Sequence, residues 1–173
     1  MQKPVPWPPT PDPCFSDRLA YAIATGAGAG FAPVAPGTFG AIEAVLIFIL
    51  MTALIEGPGE RMALFAVFNL LVMAAGIWAS GRTCRACGVE DPGQIVIDEI
   101  SGQSIALAPL VLAPSAAGVL VAFLSFRLFD IFKPYPIRKL EYLPGGLGVM
   151  MDDALAGGYA AALVWLFIEL RVL

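Results

Sequence analysis

Four long apolar runs divide this chain, and their lengths restrict the folds open to it. They cover residues 41–55, 62–80, 105–126 and 154–173. A helix that crosses a bilayer needs about 20 mostly apolar residues, with a range of about 17–25. The runs at 62–80 and 154–173 meet that length. The run at 41–55 is short and holds Glu43 near its start, so it reads as an interfacial or re-entrant helix, or one extended by Phe39 and Gly40. Of the 173 residues, 58% are hydrophobic and 14% charged, whereas a soluble domain carries about 25% charged residues. Too little polar surface remains to cover a water-facing globule. An all-α integral membrane bundle is therefore expected.

The run at 105–126 decides the topology. Three polar, motif-like segments lie at 26–40, 91–102 and 127–153. A single crossing at 105–126 would put the second and third on opposite membrane faces, where they could share no site. Pro114 and Ser115 interrupt the run. Such residues punctuate chains, and the residue before a proline is biased away from helix. Read as a turn, they split the run into helices over about 98–112 and 115–132. About five apolar helices result, some short or re-entrant, with all three polar segments on one side. A half of about 15 residues spans only about 22 Å at 1.5 Å per residue, less than the ~30 Å hydrocarbon core.

Basic residues test this arrangement. With five helices the shared side holds eight, namely Lys3, Arg18, Arg82, Arg85, Arg127, Lys133, Arg138 and Lys139, against two, Arg61 and Arg171, on the other. The excess marks the shared side as cytoplasmic. The net charge of −4 argues against nucleic acid as a partner. The length suits a single domain, 26–173. It follows a proline-rich N-terminal tail, 1–25, expected to be loosely ordered and without a signal sequence. No internal repeat of the kind used by many transporters is visible.

Acidic residues cluster at the expected helix ends: Asp98 and Glu99, Asp130, and Asp152 and Asp153. Acids at a helix N-terminus also complement the helix dipole, which suffices for either pair alone. Five carboxylates gathered on one face next to hydrocarbon are costly and mark a functional site. They would repel one another unless cations bind, and hard oxygen donors suit Mg²⁺. Arg127, Asp130 and Lys133 stand three residues apart; the two cations read as phosphate ligands. The bland alternative is an Arg127–Asp130 ion pair beside a snorkelling Lys133. Two glycine-rich segments, GAGAGFAPVAPGTFG (26–40) and PGGLGVMMDD (144–153), can bring backbone N–H groups close to an anion.

The chain has no histidine, which excludes phosphohistidine and Ser-His chemistry. It also lacks a cysteine-phosphatase loop and a DxD nucleophile motif. Cys84 and Cys87 form one CxxC, with only Cys14 besides, too few for a four-ligand zinc site. Water activated by a metal, with a carboxylate as general base, is the simplest hydrolytic route left. An aspartyl nucleophile stays open. The competing class is a membrane cation transporter or channel lined by the same acids.

Four motifs in order, GAGAGFAPVAPGTFG, DPGQIVIDEISG, FRLFDIFKPYPIR and GGLGVMMDDALAG, resemble the phosphatidylglycerophosphatase A family. The resemblance runs from about Gly26 into the last helix. Two positions depart from the family pattern: Ala41, where serine is frequent, and Ala27, where bulkier residues occur. The resemblance implies a multi-pass, Mg²⁺-dependent lipid phosphatase of the bacterial inner membrane. It would hydrolyse the terminal phosphomonoester of phosphatidylglycerophosphate, with its site facing the cytoplasm. It further implies Asp98, Glu99, Asp130, Asp152 and Asp153 as the catalytic and metal-binding acids. Arg127, Lys133, Arg138, Thr38 and Gly37 are the implied phosphate ligands.

Overall fold

A computed structural model describes residues 13–173. Among these the chain is helical, with no strand. The order is α1 (Phe15–Ala24), a 3-10 turn (Gly26–Phe31), α2 (Pro36–Leu54), α3 (Pro58–Cys87), α4 (Ile97–Leu107), a second 3-10 turn (Ala108–Leu110), α5 (Ala116–Phe132), α6 (Ile137–Leu140) and α7 (Gly146–Glu169). Three of them, α2, α3 and α7, are long and apolar enough to cross a membrane. Their outward faces expose large apolar side chains, among them Leu46 and Leu50 of α2, Leu70 and Leu71 of α3, and Trp165 of α7. Apolar patches on this scale suit contact with lipid.

The interruption in the third run is real. The helix stops after Leu110, and α5 begins at Ala116 with Ser115 as N-cap, its side chain accepting from the Gly118 N–H at 3.0 Å. Such a cap contributes about 1 kcal/mol. Thus α4 and α5 form a short hairpin that dips in and returns. Its turn is held by Arg61 of α3, whose guanidinium donates to Val111 O at 3.1 Å and to Ile55 O at 2.8 and 3.1 Å. The α4 helix then lies against α7 closely enough that a side chain at Gly157 would strike the Gly102 carbonyl. Small residues permit this approach between apolar helices. Phe126, Leu107, Leu110, Ala160 and Val164 fill the core between them.

Two boundaries differ from those expected. The tail to residue 25 is not loose throughout: residues 15–24 form α1, tied to α3 by an Asp17–Arg82 ion pair at 2.7 Å. The Asp17 carboxylate also accepts from the Cys14 N–H at 3.1 Å, a capping interaction with an unusual N-cap residue. Residues 1–12, which hold Lys3 and the proline-rich start, lie outside the described residues. The second difference is at α2, which starts at Pro36 and so recruits five residues of the first glycine-rich motif ahead of the apolar run. Proline is favoured at this first helical position.

Candidate active site

One end of the bundle gathers the N-termini of α2, α4 and α7 and the C-termini of α3 and α5. A cavity of about 730 Å³ opens there, and Asp98, Glu99, Asp130, Asp152 and Asp153 all line it. Separate parts of the chain are brought together because the α4–α5 hairpin returns to the side it left.

The five carboxylates are not equivalent. Asp130 is paired with Arg127, 2.8 Å away on the same helix. Asp152 is paired with Lys133 at 2.6 Å, and Lys133 also holds Glu141 at 2.7 Å. Asp98, Glu99 and Asp153 have no cation partner among the described residues. Each of these three offers an oxygen within 4.8 Å of the other two. Asp98 Oδ1 and Glu99 Oε2 are buried with no hydrogen-bond partner. Orphaned acceptors of this kind need an explanation, an ion among them. Three unneutralised hard oxygen donors converging on one point suit a divalent cation such as Mg²⁺.

The same crowding governs ionisation. Burial, then the adjacent Glu99 and the nearby Asp91 and Asp152, push Asp98 well above the usual carboxylate range. Burial lifts Glu99 to about 8, reinforced by Asp153 and Asp130 and opposed by Arg127 and by a hydrogen bond with Asp98. Asp152 and Glu141 hold Lys133 firmly protonated, overcoming its partial burial.

Local backbone explains the aim of these groups. Asp98 and Glu99 occupy the first turn of α4, where a dipole role is available. Asp152 and Asp153 do not: α7 begins at Gly146, so the pair lies nearly two turns inside. Dipole complementation decays within the first turn and does not account for them. Lys133 follows the end of α5 with left-handed φ of 44°, uncommon for a residue with a side chain. Gly37, in the first turn of α2, backs the Glu99 carboxylate directly; a Cβ there would overlap it.

Of the phosphate ligands expected from sequence, Lys133 alone lines this cavity. Arg127 does not reach the wall, because it is spent on Asp130 one turn along the same helix. Arg138 lies in a neighbouring depression. Gly37 and Thr38 are absent from the wall: Gly37 packs behind Glu99, and the Thr38 N–H donates to Ala35 O at 2.9 Å. The first glycine-rich motif therefore supports an acidic residue rather than cradling an anion. The second does border the cavity, through Pro144, Gly145 and Gly148. Residues not singled out from sequence also line it: Arg85, Asp91 and Glu141. A signal existed for Arg85, which stands one turn after Gly81 at the end of α3, but it entered only the basic count. Cys84 and Cys87 are free thiols, and Cys84 Sγ donates to Glu90 O at 2.9 Å, tying α3 to the following loop.

Residues 22–168 match the family described as phosphatidylglycerophosphatase A. A Bacteroides thetaiotaomicron protein, provisionally named a phosphatidylinositol-3-phosphatase, is 42% identical over 150 residues, covering 84% of this chain and 91% of that protein. Proteins named phosphatidylglycerophosphatase A from Haemophilus influenzae and Escherichia coli are 36% and 34% identical, covering 84% of this chain in each case and 86% and 81% of the relatives. No solved structure matches.

Proposed function

The chain belongs to the phosphatidylglycerophosphatase A family and is a phosphatase of membrane lipid metabolism, and we propose that it removes the terminal phosphate of phosphatidylglycerophosphate. The observation that carries the reading is the unneutralised trio of Asp98, Glu99 and Asp153 on the wall of a cavity that Lys133 also lines. Those three side chains would hold Mg²⁺. When bound, it would neutralise phosphoryl oxygens and favour ionisation of the attacking water.

The chain's own residues do the rest. Lys133, a cation fixed between two carboxylates, draws the phosphomonoester into an otherwise acidic cavity. Arg85, exposed on the cavity wall with no acidic partner among the described residues, supplies a second positive contact. The N-terminus of α7 adds its partial positive charge. Asp152 is held through Oδ2 by Lys133, while its Oδ1 is buried and unpartnered. We assign Oδ1 as acceptor for the proton of the attacking water. The water oxygen bonds to phosphorus, the bond from phosphorus to the glycerol oxygen breaks, and the proton passes to that leaving oxygen. Phosphatidylglycerol and inorganic phosphate result.

The excess of basic residues at the polar end of the bundle supports a position at the cytoplasmic headgroup level of the bacterial inner membrane. In that position the acyl chains stay in the leaflet while the headgroup enters the cavity.

The greater identity to the Bacteroides protein favours a second substrate, a phosphatidylinositol 3-phosphate, with the same chemistry at phosphorus. Purified protein in detergent would be assayed for phosphate release from each lipid, with and without Mg²⁺. Release from phosphatidylglycerophosphate that requires Mg²⁺ and is lost in Asp153→Asn supports the reading. Faster release from the inositol lipid reassigns the substrate, and full activity in chelator removes the metal role.

A further inference from the structure

A second depression, of about 370 Å³, adjoins the first, and Lys133 lines both. Its other walls differ in character. They include Arg138 and Lys139, with the aromatic rings of Phe132 and Tyr135. No carboxylate lines it, and neither Arg138 nor Lys139 has an acidic partner among the described residues. Both cations are exposed. Lys139 Nζ lies 4.9 Å from the Tyr135 ring centre, and Arg138 makes only a 3.5 Å contact to Phe132 O. The segment is nonetheless anchored, since the Ile137 side chain just before them is fully buried in the main core. Phe132 and Tyr135 are exposed beside the apolar outer face of α5, where aromatic rings and long basic side chains favour the lipid interface.

We propose that this basic depression is a subsite for the phosphodiester of the lipid substrate, distinct from the acidic cavity that receives its phosphomonoester. The inference rests on the lipid-phosphatase reading above and extends it to specificity. Both candidate substrates carry a phosphodiester next to the acyl-bearing glycerol and a phosphomonoester further out on the headgroup. The structure offers a matching pair of chambers. One is rich in carboxylates able to hold a cation at the reacting group; the other holds positive charge alone and lies beside the lipid-facing surface. Lys133 stands at their junction, within reach of either phosphate. A diester bears one negative charge and needs no metal, so Arg138 and Lys139 suffice to hold it. Binding there would orient the headgroup so that its outer phosphate meets Asp98, Glu99 and Asp153.

The test uses two inhibitors of phosphate release by the full chain in neutral detergent. Dihexanoyl phosphatidylglycerol presents a diester alone, and inorganic phosphate mimics the departing group. For the double variant R138A/K139A, the inhibition constant of the diester rises about tenfold or more, as loss of a charge-assisted hydrogen bond implies, while that of phosphate stays unchanged. KM for the substrate rises in parallel, and R138K/K139R restores it. Both residues are exposed, so a thermal midpoint near that of the parent is expected and is measured alongside. The proposal is overturned if the diester does not inhibit the parent enzyme, if both constants move together, or if neither moves. Non-competitive inhibition also overturns it, because the depression would then hold a neighbouring anionic lipid rather than the substrate. If the parent releases phosphate from neither lipid, the function reading fails first and takes the subsite with it.

Discussion

Gly37 offers a sharp test of the acidic centre, because it acts on Glu99 without changing any charge. A Cβ built on Gly37 lies 2.7 Å from Glu99 Cδ and 3.2 Å from Glu99 Cγ, and overlaps Oε1. Contacts under 3.0 Å are not tolerated, so in Gly37→Ala the Glu99 carboxylate must shift by about an ångström from the place it holds beside Asp98 and Asp153. A misplacement of about 1 Å can cost about 10²-fold in rate, equivalent to about 2.7 kcal/mol in the barrier. Folding is expected to survive, since alanine in a helix is favoured over glycine by about 1 kcal/mol. The assay is phosphate release as a function of Mg²⁺ concentration, with thermal unfolding alongside. Gly37→Ala should lower kcat/KM about 100-fold and raise the Mg²⁺ needed for half activity. Gly158→Ala in α7, where a Cβ meets nothing within 4 Å, is the control and should behave as the parent. Shortening the displaced side chain, in Gly37→Ala with Glu99→Asp, should recover part of the loss. Parental rate and Mg²⁺ response in Gly37→Ala would refute the assignment of Glu99 to the metal site.

The raised value of Glu99, about 8, sets a pH dependence. Below it the cation-free carboxyl holds a proton that a divalent ion must displace, so Mg²⁺ affinity should climb as pH rises towards about 8 and level off above. Proton release on Mg²⁺ addition at pH 7, followed by calorimetry in two buffers of different ionisation enthalpy, checks this; no release contradicts it. By the same sign, the chelated protein should lose stability as pH rises from about 4.5 through about 8, because the folded state binds that proton more tightly than the unfolded chain. At the far end of the bundle, Arg61→Ala removes the donor shared by Ile55 O and Val111 O. It should cost about 2–3 kcal/mol of stability, seen as a lower thermal midpoint with little change in the rate of the folded enzyme. An unaltered midpoint would show that the clamp contributes nothing.

The sequence revealed features whose causes are local, or whose cost is evident without coordinates. Pro114 turns the residue before it away from helix and Ser115 is a favoured helix N-cap, so the α4–α5 hairpin was readable, and with it the sharing of one face by three distant motifs. Ionised groups beside hydrocarbon are conspicuous for the same reason, and all five acids do line one cavity. The partition among them was not readable. The Arg127–Asp130 pair was offered by their spacing of three, but that Lys133 goes to Asp152 and leaves Asp153 without a cation depends on how α7 packs beside α5, and only the fold supplies that. Arg138 shows the same limit: it sits in basic, motif-rich sequence, yet it faces a different depression. Glu141 lies in a connecting segment without periodicity, and Asp91, although it opens the second motif, stands apart from the helix start that made Asp98 and Glu99 conspicuous. Helix α1 was concealed by the proline-rich residues before it and by a cysteine in the capping position, where serine or threonine would have announced a helix start.

The clamp at Arg61 and the acids at the opposite end are parts of one arrangement. Had residues 105–126 crossed the bilayer once, Asp130 and Lys133 would lie about 30 Å from Asp98, the thickness of the hydrocarbon core. The turn at 111–115 reverses the chain, and Arg61 secures that reversal by satisfying carbonyls that no helix can serve there. Once reversed, α5 delivers one cation to Asp130 and, just past its end, another to Asp152. Without those partners, five carboxylates would face one another in one cavity. With them, three of the five, Asp98, Glu99 and Asp153, are left without a cation and converge on one point. The economy of the site thus follows from a hairpin whose cause is two residues, Pro114 and Ser115, well removed from any acid.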